Sequence, residues 1–307
     1  MRAIIHPARL SDFLDILEAG SIRAAARLSG TSQPALTKSL RRLEAELGVP
    51  LFDRKPTGVV PTPYGQALAR RARAVRHELR LAGDEIAALA GGPPGSVAFG
   101  IGTASAILLV PAVTTQLRCQ YPELRIRIRE GLPHTLLPLL RDHSLDFFLG
   151  ARMAETADPA IRFQALFNSQ RCVVVRRGHP MARVKSLAEL RGAEWLSLPA
   201  LPVLEPAAAW AGMARQMVEC ESVQSFAALL AASDMIGLVS RRLVENEIAR
   251  GHVVELRLRD ALPVFRVGLY QRADSPPSPA AAAAMRILSQ RARRVFGDSS
   301  SLTALPR

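Results

Sequence analysis

The chain has 307 residues, and its 49% apolar content is that of an ordinary globular protein with room for two or three cores rather than one small domain. Its 40 Lys and Arg against 27 Asp and Glu give a formal +13, which suits nucleic acid, an acidic membrane surface or anionic small molecules without choosing among them, because residues 1–90 carry +5 and residues 91–307 carry +8. The three cysteines, Cys119, Cys172 and Cys220, form no C-x-x-C pair and exclude a disulfide framework or a zinc site, and no apolar run has the length of a signal peptide or membrane span, so the expectation is a soluble, cytoplasmic protein with no membrane partner.

Leu10, Phe13, Leu14 and Leu17 mark a first short helix that ends at Gly20. Ser21 can cap a second, SIRAAARL, which stops at Ser29-Gly30, where a residue free to take positive φ is wanted. Thr31 or Ser32 can cap a third helix that tolerates Pro34 in its first turn. Two helices joined by a short glycine-containing turn make a helix-turn-helix. In the third helix Leu36, Leu40, Leu43 and Leu47 form the buried stripe, which leaves Gln33, Thr37 and Arg41 in one exposed row and Lys38 with Arg42 in the next. The acids Glu44 and Glu46 come only afterwards, against the order that the helix dipole favours, so a partner rather than helix stability has placed these groups. VPLFDRKPTGVVPTP then reads as a small hairpin or wing around Lys55-Pro56-Thr57-Gly58. From residue 63 to about 89, Leu68, Ala72, Val75, Leu79, Ala82, Ile86 and Leu89 alternate steps of four and three, the seam of a coiled coil about 40 Å long. The seam predicts self-association through Leu68, Val75, Leu79 and Ile86; the same stripe could also pack on its own chain.

GGPPGS at 91–96 breaks the helix, and beyond it the pattern changes class. Apolar strands (VAFGIG, LRIRI, LDFFLG, CVVVRR, EWLSLP, IGLVS, VVELRL, FRVGLYQ) alternate with helical stretches, which argues a parallel α/β sheet. A final helix, PAAAAAMRILSQRARRVF, precedes a Gly/Ser-rich tail expected to fray.

With these elements in place, GSIRAAARLSGTSQPALTKSLRRLEAELGVPLFDR followed by PTPYGQAL resembles the DNA-binding signature of LysR-type transcriptional regulators. The likeness continues more loosely through Y-P-E-L, L-D-F, R-G-H-P-M-A and the last basic helix. The resemblance implies an α/β protein with an all-α N-terminal winged helix-turn-helix (residues 1–62), a dimerising linker helix (63–90), a hinge (91–96) and a two-lobed effector-binding domain like a periplasmic binding protein (97–300), before a flexible tail (301–307). Lobe I would span about 97–162 and 270–300, and lobe II about 163–269. It further implies a homodimer assembling to a homotetramer, double-stranded operator DNA and RNA polymerase as partners, and a small-molecule effector with no cofactor and no metal. Position by position the groove-reading residues fall on Gln33, Thr37 and Lys38 beside Ser32 and Pro34, with Arg54 and the wing at Lys55 and Thr57 near the DNA backbone. An amide such as Gln33 can pair bidentately with adenine and a cation with guanine, whereas Arg41, Arg42 and Arg54 suit phosphates. Ile22 and Arg23 stand where the family often has an aromatic and a small polar residue.

Enzymatic motifs are missing. FGIGTAS has Ser105 in place of the third glycine of a dinucleotide fingerprint, with no acid about 20 residues on, and neither G-x-S-x-G, H-E-x-x-H nor a phosphate loop occurs. The six histidines show no metal-ligand spacing. A solute-binding protein would need only residues 96–300, and a redox sensor would need a close cysteine pair, so a ligand-controlled DNA-binding regulator is the reading carried forward. The loop Gly102-Thr103-Ala104-Ser105 leaves the first strand of the α/β domain, where backbone N–H groups and two hydroxyls suit an anion; Thr103 and Ser105 could alternatively just cap the helix, and Pro111 could delay that helix's start. By order along the chain the resemblance adds Leu132, Pro133 and His134, then Pro199 and Ala200, and Val223 to Thr103, Ala104 and Ser105 as effector-binding positions. The expected effector is a small anionic metabolite.

Overall fold

The computed structural model describes residues 5–56, 58–91, 95–153, 158–198, 217–220, 222–262 and 264–297; Thr57, Pro199, Ala200, residues 92–94 of the expected hinge and the 301–307 tail lie outside them. The chain divides into two compact units, residues 1–94 with 139–144, and residues 95–138 with 145–307.

The first unit opens with three helices, α1 (Pro7–Ala19), α2 (Ile22–Ser29) and α3 (Gln33–Leu47). Ser21 and Ser32 accept from the N–H groups of Ala24 and Ala35, which satisfies donors that the first turn leaves free. Gly30 takes φ 70° in the turn between α2 and α3, a region closed to most residues with a Cβ. Leu36, Leu40 and Leu43 bury against Phe13, Leu14 and Ile16 of α1 and Ala25 of α2. The Glu44 carboxylate then accepts the Leu51 N–H at 2.8 Å, which turns the chain into the antiparallel hairpin β1 (Phe52–Lys55) and β2 (Gly58–Pro61) with Lys55 opposite Gly58.

Thr62 caps the 27-residue helix α4 (Pro63–Leu89). Its Oγ1 accepts the Gly65 N–H at 3.1 Å and its own N–H donates to the Leu51 carbonyl at 3.0 Å. Gly65 is buried there, and a Cβ on it would sit 2.1 Å from that same Leu51 oxygen. Arg76 of α4 pairs with Asp15 and Glu18 of α1; burial, partly offset by Arg76, raises the Asp15 carboxyl pKa.

The second unit is built on β3 (Ser96–Ile101), α5 (Thr103–Gln120), β4 (Arg125–Glu130), α6 (Pro133–Arg141, whose last three residues fall in the first unit), β5 (Phe147–Ala151), β6 (Ile161–Arg176), a 3-10 turn (Leu187–Leu190), β7 (Trp195–Ser197), β8 (Met217–Glu219), α7 (Val223–Ala232), β9 (Ile236–Ser240), α8 (Arg241–Ala249), β10 (Val253–Glu255), β11 (Val264–Arg272) and α9 (Pro279–Phe296). The sheet runs β4-β3-β5-β11-β6-β9-β7-β8, with β10 on β6. The expectation of a parallel sheet is corrected to a mixed one. β3, β4 and β5 run parallel, as do β7, β8 and β9, but β11 lies antiparallel between β5 and β6, and the 16-residue β6 carries on to pair antiparallel with β9, joining the two groups.

Each group has its own core. Phe99, Ile101, Phe147 and Leu149 of the first sheet region pack with Leu109, Val113 and Leu117 of α5 and Ile287 and Leu288 of α9. In the second, Cys172 and Val174 face Phe226 and Leu230 of α7 while Val173 and Val175 face Leu187, Leu190 and Trp195. Burial on both faces explains why CVVV is an unbroken apolar run. The edge strand β4 alternates exposed Arg125, Arg127 and Arg129 with half-buried Ile126 and Ile128.

Two of the motifs that carry the resemblance acquire structural reasons. Asp146 of L-D-F accepts the Ala98 N–H through its carboxylate and donates its own N–H to the Ala98 carbonyl, both at 2.7 Å. The buried His179 of R-G-H-P accepts from the Met181 N–H at 3.0 Å, which leaves Nε2 to donate to the Asp234 carbonyl at 2.9 Å. Among the described residues no helix is long and apolar enough to cross a membrane.

Candidate functional site

Three sets of residues, two in the first unit and one in the second, carry groups that folding alone does not use. On α3, Gln33, Pro34, Thr37, Lys38 and Arg41 line a shallow groove, with Gln33, Lys38 and Arg41 exposed. Ser32 is occupied as the cap. The Thr37 hydroxyl donates to the Gln33 carbonyl at 2.9 Å, so toward a partner it acts as an acceptor. Arg42 differs from the others: its Nε lies 3.5 Å from Glu46, which also binds Arg9, so part of its charge is compensated within the unit. Arg54 and Lys55 stand exposed on β1.

Along α4, Val75 (40% exposed), Leu79 (55%), Ile86 (68%) and Leu89 (84%) leave an apolar row in solvent. Leu68, placed with them by its spacing, packs instead against the helical core of its own chain, as does the fully buried Ala72. The seam is therefore split: its first two turns are used within the chain, because α4 leaves the core only after them.

In the second unit a cavity of about 620 Å³ collects the C-terminal ends of six strands, within the size range of small-molecule sites and at the sheet position where α/β proteins bind ligands. Gly102 to Ser105 follow β3, Glu130 ends β4, Gly150 and Ala151 end β5, Leu198 follows β7, Glu219 ends β8 and Ser240 ends β9. Thr103, Ala104, Ser105, Leu132, Pro133 and His134 all line it. The helix after the loop starts at Thr103 and runs through Pro111 without a break, and its N-cap, Gly102, makes no side-chain capping bond. Neither the capping role for Thr103 and Ser105 nor the delayed start is thus what the fold adopts. Val223 is not among the residues that line the cavity and packs, partly buried, against the core that includes Phe226 and Leu230.

Sequence reasoning missed the floor of the cavity. Phe167, Ser169 and Arg171 alternate along β6 and all face it, and Phe265 and Val267 of β11 add apolar wall. Ser169 Oγ lies 3.2 Å from Ser240 Oγ. The Arg171 guanidinium sits 4.9 Å from the Phe265 ring centroid, and burial lowers its pKa to about 10, so it stays charged at neutral pH. Only strand pairing could have found it, because QRCVVV reads as a solvated arginine before a buried strand.

Next to this row, burial pushes the Cys172 thiol up to about 12, which keeps it protonated and argues against a thiolate sensor. The histidines also assemble in a way their spacing hides. His77, Glu78 and His143 of the first unit offer ligand atoms within 4.8 Å of one another, but an Arg80 guanidinium nitrogen lies 3.1 Å from His77 Nδ1, and that charge opposes a bound cation.

A helix-turn-helix with an exposed polar and cationic row, followed by a two-lobed α/β unit with a ligand-sized cavity at its strand ends, defines a ligand-responsive DNA-binding protein. Comparison with known proteins gives the family. Residues 8–66 match the bacterial regulatory helix-turn-helix protein of the lysR family, and residues 90–293 match the LysR substrate binding domain. The chain belongs to the LysR family of transcriptional regulators and is a regulator rather than an enzyme. It is 31% identical over 296 residues to the HTH-type transcriptional regulator GalR of Pseudomonas putida, covering 94% of this chain and 74% of that one. Among solved structures, full-length OxyR from Pseudomonas aeruginosa matches with TM-score 0.73 at 22% identity over 99% of both chains. Full-length CbnR complexed with its target DNA matches with TM-score 0.64 at 20% identity, over 94% of this chain and all of that one.

Proposed function

We propose that this regulator binds operator DNA as a cytoplasmic homodimer or tetramer, and that a small anionic metabolite in the strand-end cavity controls it. The observation that carries the effector reading is the uncapped start of α5 at the ends of six strands, where the helix dipole and the free first-turn N–H groups favour an anion. Gln33, Thr37 and Lys38 read base edges; Arg41, Arg54 and Lys55 meet phosphates, and Arg42 contributes less because Glu46 shares its charge. The exposed row Val75, Leu79 and Ile86 pairs two chains, which presents two reading helices to a two-fold operator. Ligand occupancy then shifts the population of oligomer arrangements and with it operator affinity or contact with RNA polymerase.

The test is electrophoretic mobility of labelled promoter DNA against random DNA at fixed salt. Gln33→Ala and Lys38→Ala should each weaken operator binding by roughly 1 to 3 kcal/mol with random DNA less affected, whereas Arg54→Ala should weaken both. Equal losses on both DNAs for Gln33→Ala would remove it from base reading.

A further inference from the structure

The charges lining the cavity are not all of one sign, and their depths differ. Arg171 is half-buried on the floor strand β6, paired in register with Ser240, whose hydroxyl lies 3.2 Å from that of Ser169. Glu130 and Glu219 are the exposed final residues of β4 and β8, one from each strand group. A guanidinium stripped of part of its water, in a cavity also lined by the Ser169 and Ser240 hydroxyls, matches a carboxylate in charge and in donor geometry. Two solvent-facing carboxylates accept hydrogen bonds but repel a second anion.

Resting on the reading of this cavity as the effector site, we infer that the effector is a monocarboxylic acid whose other end carries a hydrogen-bond donor, hydroxyl or amino, with Arg171 holding the carboxylate and Glu130 and Glu219 selecting against a diacid. Arg171 supplies positive charge on the cavity floor. Glu219 and Glu130 place negative charge at the strand ends, Glu130 in register beside Ile101 at the α5 start. Phe167, Phe265 and Val267 add apolar lining that suits an apolar ligand body. Overall negative charge on the ligand therefore does not suffice for binding; its placement decides.

Calorimetry on the full-length protein with matched probes tests this directly. Para-hydroxybenzoate is compared with terephthalate and with para-hydroxybenzamide, and omega-hydroxyhexanoate with adipate. At least one hydroxy acid should bind about tenfold or more tightly than its diacid, and than the amide in the aromatic set, as expected for one charged hydrogen bond kept or lost. Arg171→Gln should erase the advantage of acid over amide while Arg171→Lys keeps part of it, and the Glu130→Gln, Glu219→Gln double variant should raise diacid affinity by about tenfold. The acid, amide and diacid comparison on the unaltered protein needs no variant to fold. Diacids binding as well as hydroxy acids, the amide binding as well as the acid, or no hydroxy acid binding at millimolar concentration would each overturn the inference. A diacid or amide that binds and shifts promoter mobility would overturn it while leaving the cavity's effector role standing, and loss of that binding in a Thr103→Val, Ser105→Ala variant would locate the site.

Discussion

Replacing Gly65 by alanine sets two physical effects against each other. In a helix interior the change is favourable by up to about 1 kcal/mol, since alanine loses less backbone entropy. Here the new methyl would sit 2.1 Å from the Leu51 carbonyl oxygen, whereas a carbon and an oxygen settle at about 3.3 Å, so roughly 1.2 Å of separation must be found. The obstacle is backbone, with no rotamer to yield. Moving α4 away stretches the 3.0 Å Thr62 N–H bond to that oxygen past hydrogen-bonding range and strains the cap. Overpacking at 1–3 kcal/mol and a broken buried bond at 1–3 kcal/mol, less the helix gain, leave a net loss of about 3 kcal/mol. For a unit of this size that lowers its melting temperature by about 12–24 °C. Gly83→Ala is the control, because Gly83 lies in the same helix with nothing within 4 Å of its would-be Cβ; it should hold or raise the melting temperature. Thermal unfolding by circular dichroism reads both. A Gly65→Ala protein that melts at or above the unaltered one would mean that α4 does not cross the hairpin this closely.

Assembly and thiol reactivity give two further checks. Leu79→Glu or Ile86→Glu puts a charge on the exposed row of α4, where pairing would bury about 1.5–3 kcal/mol of side chain per copy; sedimentation should show a lower mass, and an unchanged mass would place the self-association surface elsewhere. With its thiol pKa near 12, Cys172 holds roughly one part in ten thousand as thiolate at pH 8. A disulfide reagent should therefore modify exposed Cys119 first and Cys172 only after denaturation, with native reactivity rising toward strongly alkaline pH; rapid native labelling of Cys172 would contradict its burial.

What the sequence made legible follows from how local each cause is. The leucine stripe of α3, the serine caps and the exposed Gln33-Lys38-Arg41 groups depend on periodicity within one helix, and they stand where the pattern puts them. Pro111 misleads because local rules price its missing N–H but not the fully buried face of Leu109, Val113 and Leu117 that holds α5 together across it. The sequence shows strand β6 only as CVVVRR: its polar half, QALFNSQ, becomes strand by pairing with β11, a partner about a hundred residues away in sequence. Arg171 escapes a reading of the sequence for the same reason, since only the pairing of β6 shows which face it takes.

The arginines of β4 bear on how copies of this protein meet. Among the described residues the nine-stranded sheet ends at β4, and an edge strand offers unpaired backbone groups to another open strand. Arg125, Arg127 and Arg129 project from that border, so a second copy docking there would bring six guanidinium groups together in a row. Such a border is self-repelling and discourages indefinite edge-to-edge stacking of sheets. Exchanging the three for threonine would keep strand propensity while removing the repulsion, and loss of solubility at neutral pH is the expected outcome.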